Sequence, residues 1–378
     1  MKRILLPSAP NFVDLNITNN CNMFCKHCYI GAVNQYEELD YMKGLNYIDQ
    51  MAELGVFRVS LTGGEPLLHP KWKEFLLRIV HDGMSPMMNT NGTLFDKDTV
   101  DFISNITNRN MWIAVSLDGM VPGRYSKLRK WKNGLDADRA FEIVIKNVGY
   151  MIQSGLHVVF NFTNTNVNYK DLFPLYSFLE EKFGEDNFTL NVILFGLSGN
   201  GYQNSSELSM SYKNWKLLIN TIAKEKLAGH YSSLKLEPTC PWEIYLPLKD
   251  YSFEDIEQAT GYISPLRNPI FKSNRSIGCH AGISNLVVNW DGSVFPCGLY
   301  PQLKSFCAGN LNSDSLKEIW SNSNILNELR STKISDLPET CQKCKYSEIC
   351  GGGCRGAAMQ INKSISKGDT RCPMYEKV

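Results

Sequence analysis

The sequence has no excess of charge of either sign: 39 Lys and Arg stand against 38 Asp and Glu in 378 residues, a formal net charge of +1. Chains that bind nucleic acid carry a basic surplus, so there is no electrostatic reason to expect DNA or RNA. No stretch approaches the roughly 20 apolar residues of a membrane span. An export signal is also missing: Met1-Lys2-Arg3 has the charge of one, but the apolar run Ile4-Leu5-Leu6 stops at Pro7. Internal repeats and low-complexity tracts are absent. A cytoplasmic globular chain is expected, and its length exceeds what one hydrophobic core usually serves, which predicts two domains.

What the sequence does have is cysteine, 12 in all. That is too sparse for a disulfide scaffold, and thiols in an unexported chain are more often metal ligands or catalysts. Cys21, Cys25 and Cys28 form a C-x3-C-x2-C run, three thiolates and one short of a closed site. Iron–sulfur cubanes normally take four cysteines, so three leave one iron free for chemistry, as catalytic zinc sites keep a position open. A structural zinc site or buried free thiols would be the plainer use. Further along, Gly63-Gly64-Glu65-Pro66 offers a backbone that a ligand can approach closely and a carboxylate suited to an ammonium group.

From residue 12 to about residue 195, short apolar runs alternate with segments of helical period, the signal for βα units around a parallel sheet. Six strands are expected: Phe12–Ile17, Phe57–Thr62, Ser85–Asn89, Trp112–Leu117, His157–Phe162 and Leu190–Phe195. In such barrels the chemistry collects at the C-terminal strand ends. Cys21–Cys28, Gly63–Pro66, Asn89–Gly92 and Ser116-Leu117-Asp118-Gly119 follow the first four strands in turn. A domain boundary is expected near residue 230. Beyond it, Leu286–Asn289 and Ser293–Phe295 flank Asp291-Gly292, the signature of a type I′ hairpin.

The cysteine run, followed by Tyr29 and by Thr62-Gly63-Gly64-Glu65-Pro66, resembles the radical S-adenosylmethionine (SAM) superfamily. The resemblance implies a partial (β/α)6 TIM-like barrel over residues 1–230. Cys21, Cys25 and Cys28 would ligate a 4Fe-4S cluster, and SAM would chelate its open iron and be cleaved to a 5′-deoxyadenosyl radical. By the same resemblance Tyr29 lies against the adenine and Gly63, Gly64 and Glu65 receive the SAM amino group. Ser116 and Asp118 face its ribose or carboxylate, although Ser-Leu-Asp-Gly also suits a turn or a helix cap. Arg129 is placed on the SAM carboxylate, or is a solvated charge in the run Lys127–Lys132. His27, between two ligands, is read as a hydrogen-bonding neighbour of the cluster or as solvent-facing.

Later cysteines follow a second pattern: Cys279, Gly292, Cys297, then Cys341-x2-Cys344-x5-Cys350-x3-Cys354, then Cys372. This resembles the SPASM domain, a C-terminal cysteine-rich module with two auxiliary 4Fe-4S clusters, here over residues 231–378 with its bridging region and β-hairpin. The resemblance assigns Cys341, Cys344, Cys350 and Cys372 to one cluster, and Cys279, Cys297 and Cys354 to the other. The latter is one ligand short. Cys240 or Cys307 completes it, or the iron stays open to a substrate thiolate, since soft iron prefers sulfur. Two structural zinc sites are the alternative.

Relatives with SPASM domains mostly modify ribosomally made peptides, so the expected activity is hydrogen abstraction from a peptide residue, with an auxiliary cluster accepting an electron as a thioether or carbon–carbon crosslink forms. Formylglycine formation of the anaerobic sulfatase-maturase kind is the rival, but those enzymes usually carry an aspartate where Gly298 stands. A haem- or redox-cofactor-biosynthetic decarboxylase is a further alternative, and a zinc-binding interaction protein the non-enzymatic one. Expected partners are a flavodoxin or ferredoxin reductant and, because Cys21 lies so near the start, for a leader-bearing peptide a separate leader-recognition protein or leader binding on the barrel and bridging surfaces.

Overall fold

The computed structural model describes residues 7–31, 35–120, 125–132, 137–263 and 279–375; the opening Met1–Leu6 segment lies outside them. Twelve strands occur among these residues: β1 Phe12–Thr18, β2 Met23–Cys25, β3 Arg58–Gly63, β4 Ser85–Thr90, β5 Trp112–Ser116, β6 Arg129–Trp131, β7 His157–Asn164, β8 Phe188–Leu194, β9 Leu234–Leu236, β10 Asn285–Val288, β11 Ser293–Phe295 and β12 Gly309–Asn310. The six expected strands are β1, β3, β4, β5, β7 and β8, neighbours in that order and all parallel. No described helix is long and apolar enough to cross a membrane.

Strand residues alternate, and the alternation explains the cavity. Val13, Leu15 and Ile17 of β1, Val59 and Leu61 of β3, Ile113 and Val115 of β5 and Phe160 and Phe162 of β7 are fully buried in one apolar core. Helices Tyr41–Leu54, Trp72–His81 and Lys97–Ile106 send Ile48, Met51, Phe75, Leu76, Ile79, Val100 and Ile103 into the same core. The intervening strand positions, Asp14, Thr62, Asn89, Ser116, Asn161 and Thr163, are polar and line the barrel interior. A parallel sheet packed on both faces reads as continuous apolar runs; polar alternate positions mark one face as the wall of a cavity. Two of the helices begin at aspartate caps: Asp40 accepts from the Lys43 N–H and Asp96 from the Thr99 N–H.

The sheet does not end with the six barrel strands. At one edge β9 pairs in parallel with β8, and at the other β10 pairs in parallel with β1, Phe12 opposite Asn285 and Leu15 opposite Val288. β11 and β12 add antiparallel strands, so ten strands form one sheet. The expected hairpin is present, but its turn is not type I′, which needs positive φ at both central residues. Gly292 alone has positive φ, +82°, and its N–H donates to the Asn289 carbonyl at 2.9 Å. Trp290 and Asp291 are therefore the central residues of a four-residue turn closed by a glycine bulge, which lets Asp291 keep an ordinary backbone.

Candidate active site

The loop after β1 carries Cys21, Cys25 and Cys28, and its path is fixed by main-chain contacts. β2 pairs antiparallel with β6, Cys25 directly opposite Arg129. The Asn200 N–H donates to the Cys28 carbonyl at 2.9 Å, the Asn200 side chain to the Cys25 carbonyl at 3.2 Å, and Asn204 to the Lys26 carbonyl at 3.2 Å. Gly199, with φ +52°, packs so closely on Tyr29 that a Cβ would stand 2.4 Å from its carbonyl oxygen. Gly199 lies in a glycine-rich stretch between Gly196 and Gly201. Nothing local in it reveals that it holds the cysteine loop.

Gly63 ends β3 and Gly64 follows it, both packed against the backbone that leads into the same loop. A Cβ on Gly63 would meet the Thr18 carbonyl oxygen at 2.1 Å, and one on Gly64 the Asn20 carbonyl oxygen at 2.0 Å. Only glycine permits this approach, because both obstacles are backbone. Both glycines line the cavity. The Glu65 carboxylate turns inward instead: it is fully buried, accepting from the Thr90 hydroxyl and the Asn91 N–H at 2.8 Å each and from the Leu67 N–H at 3.3 Å. Burial pushes it up to about 7, with those donors opposing.

Asp118, fully buried, is likewise turned away from the cavity and holds Arg129. Arg129 Nε lies 2.6 Å and Nη2 2.5 Å from Asp118 Oδ2, while His27 Nε2 lies 3.0 Å from the same oxygen. The Thr163 N–H donates to the other oxygen at 2.8 Å. Burial would raise the Asp118 carboxyl, but the Arg129 guanidinium, helped by the hydrogen bonds from His27 and Thr163, outweighs it and holds the group far below the usual carboxylate range. Arg129 Nη1 donates to the Cys25 sulfur at 3.5 Å. Two donors point at the Cys21 sulfur, Asn91 Nδ2 at 3.8 Å and the Met23 N–H at 3.4 Å. N–H groups directed at sulfur stabilise thiolates and tune the clusters that thiolates hold.

Cys21, Cys25, Cys28, Tyr29, Ser116 and Arg129 line one cavity of about 690 Å³, and Cys279, Cys297 and Cys354 line the same cavity. The Tyr29 hydroxyl bonds with Thr62, and its ring lies against Gly298. Cys341, Cys344, Cys350 and Cys372 surround a second, smaller space together with Trp242 and Asp369. Between the two spaces is a buried network. Asp369 Oδ2 accepts from the Trp242 indole at 3.0 Å and the Cys354 N–H at 3.1 Å, and Arg371 contacts it at 2.9 Å and Glu243 at 3.1 Å. The Cys240 thiol donates into this network, to Glu243 at 3.2 Å and Asp369 at 3.4 Å. Cys307 instead donates to the Gly309 carbonyl at 2.9 Å. Among the described residues, no three Cys, His, Asp or Glu side chains close on one point as ligands of a single ion would.

Residues 15–179 match the radical SAM superfamily model, and residues 279–345 match SPASM, an iron-sulfur cluster-binding domain. The AdoMet-dependent heme synthase of Methanosarcina barkeri is 25% identical over 94% of both chains. The antilisterial bacteriocin subtilosin biosynthesis protein AlbA of Bacillus subtilis is 22% identical over 94% of this chain and 69% of its own. In fold the chain resembles Streptococcus suis SuiB crystallised with S-adenosylmethionine, with a TM-score of 0.72 and 18% identity over 98% of this chain and 79% of SuiB. The barrel, the three-cysteine loop and the second cysteine set make this chain a radical SAM enzyme with a C-terminal SPASM domain, a family that works with SAM and 4Fe-4S clusters.

Proposed function

We propose that the enzyme abstracts a hydrogen atom from a residue of a ribosomally made peptide, the auxiliary clusters accepting an electron or binding substrate as a thioether or carbon–carbon crosslink forms. Cys21, Cys25 and Cys28 hold the SAM-binding cluster; Cys341, Cys344, Cys350 and Cys372 hold one auxiliary cluster, and Cys279, Cys297 and Cys354 the other. When bound, SAM and the reduced cluster supply the radical that takes the hydrogen atom. The protein's part is positional. Gly63 and Gly64 give backbone access to the SAM amino group, Tyr29 bounds the adenine side and Ser116 the ribose side.

The observation that carries the peptide reading is the charge of the cavity wall. Its described lining has two carboxylates, Asp14 and Glu237, and only two permanent cations, Arg129 and Lys132. Asp118 already occupies Arg129. A porphyrin carrying several carboxylates needs more cationic partners than Lys132 offers, whereas a peptide backbone matches Asn89, Asn161, Ser116 and Thr163. Phe24 and Tyr36, 42% and 59% exposed, line the same cavity, and Lys132 stands 4.6 Å above the Tyr36 ring. The AlbA likeness and the structure of SuiB bound to its precursor peptide SuiA support the same reading. Haem-precursor decarboxylation is the second reading, favoured by the heme synthase likeness along nearly the whole chain.

A cytoplasmic setting, a flavodoxin or ferredoxin reductant and a separate leader-recognition protein complete the proposal. Anaerobic incubation with SAM, dithionite and either a peptide encoded beside this gene or iron-coproporphyrin tests it by mass spectrometry. A peptide lighter by two hydrogens supports crosslinking; loss of carbon dioxide from the porphyrin with an unchanged peptide overturns it.

A further inference from the structure

Arg129 is expected by resemblance on the SAM carboxylate, yet its guanidinium is already engaged. Nε and Nη2 are on Asp118, Nη2 also lies 3.3 Å from His27 Nε2, and Nη1 is on the Cys25 sulfur. The pairing of Cys25 with Arg129 across β2 and β6 fixes the backbone of both partners, so this contact does not depend on a long free side chain. Arg129 is only 6% exposed and Asp118 not at all.

We infer that Arg129, aligned by Asp118, is a positioning residue that sets how readily the cluster on Cys25 is reduced, by donating a hydrogen bond to that sulfur, rather than a clamp for SAM. This rests on the reading that Cys21, Cys25 and Cys28 hold the cluster. Reduction adds one negative charge. An N–H aimed at a ligating sulfur and a fixed cation a few ångströms away both favour the reduced form, and the effect is large where water is excluded. Asp118 tempers the charge while fixing the fork in place. Lysine would keep a charge but lose the planar fork that spans Asp118 and Cys25 at once.

The test is an EPR-monitored redox titration of anaerobically reconstituted full-length enzyme, following the cluster signal that changes when SAM is added. The signals of the auxiliary clusters serve as internal references. Arg129→Met should lower the reduced-to-oxidised ratio at a fixed potential at least tenfold, 59 mV for a one-electron couple, with Arg129→Lys intermediate and the SAM dissociation constant changed less than threefold. An unchanged potential with SAM binding lost would overturn the inference and restore the carboxylate clamp. If the variants fail to load iron, wild-type enzyme labelled with ¹⁵N-guanidino arginine and free of SAM decides: a ¹⁵N hyperfine coupling to the reduced cluster supports the contact, and its absence overturns it. Wild-type protein without a SAM-responsive cluster refutes the underlying cluster assignment instead, a result separate from either.

Discussion

The ring of Tyr29 lies directly on Gly298: a Cβ at that position would stand 3.2 Å from Tyr29 Cε2. One residue follows Cys28 and the other follows Cys297, so the two cysteine sets meet through an aromatic face and a bare backbone. This gives a physical reason for a glycine at the position where anaerobic sulfatase maturases usually carry an aspartate.

Gly298→Asp should therefore push the Tyr29 ring, an overpacking that costs about 1–3 kcal/mol. SAM affinity, measured by equilibrium binding to the reconstituted enzyme, is expected to fall by roughly tenfold or more, while iron content stays at the wild-type level. Unaltered SAM binding would show that Tyr29 does not bound the nucleoside.

Cys25→Ala should remove one cluster and leave two. If three cubanes load, iron falls from about twelve to about eight atoms per chain, and reductive SAM cleavage to 5′-deoxyadenosine is lost. Iron analysis and chromatography of the nucleoside products check both. Loss of all iron would mean that the barrel and the C-terminal cysteines do not fold as separate holders.

Gly64→Ala places a methyl 2.0 Å from the Asn20 carbonyl oxygen, and the obstacle is backbone. The cysteine loop must lift, so the N-terminal cluster is expected to load poorly while the auxiliary clusters persist. Comparing the EPR signals of the two variants, Gly64→Ala and Cys25→Ala, checks this: the same signal should be diminished in both.

Arg371→Met leaves Asp369 and Glu243 buried without their cation. Breaking such a pair from one side costs about 3–5 kcal/mol, and anaerobic thermal denaturation should show a drop of several degrees. A change within a degree would mean that water replaces the guanidinium.

Asp14 gives a pH-dependent outcome. Burial pushes its carboxyl up to about 7, and a hydrogen bond with Ser60 offsets only part of that. A raised acid is protonated in both folded and unfolded chains below pH 3.8, so it contributes nothing there. From there to about pH 7 the unfolded chain ionises first, so the folded state loses stability, up to a few kcal/mol by linkage. Asp14→Asn should accordingly be more stable than wild type at pH 8 and closer to it at pH 5.5 in urea titrations.

Much of this was legible in the chain. Apolar runs mark the six barrel strands because each sends alternate residues into one continuous core. The cysteine spacings and Gly63-Gly64 stand out because their demands are local: thiolates at short intervals, and a backbone that tolerates no Cβ. What stayed hidden depends on partners far along the chain. Asp118 and Arg129 are eleven residues apart, and nothing in either residue says that they pair with each other and with Cys25. Asn200 and Asn204 hold the cysteine loop through a contact some 175 residues long in sequence. The expected boundary near residue 230 falls just ahead of β9, too short a strand to announce itself, which continues the sheet.

The pairing of β10 with β1 reaches beyond the placement of cysteines. A chain ending before residue 279 would leave the outer N–H and C=O groups of β1 bare, an open sheet margin of the kind that recruits other chains. The C-terminal module thus also seals the barrel. A truncated barrel should accumulate as aggregates even where every residue of the cysteine loop is intact.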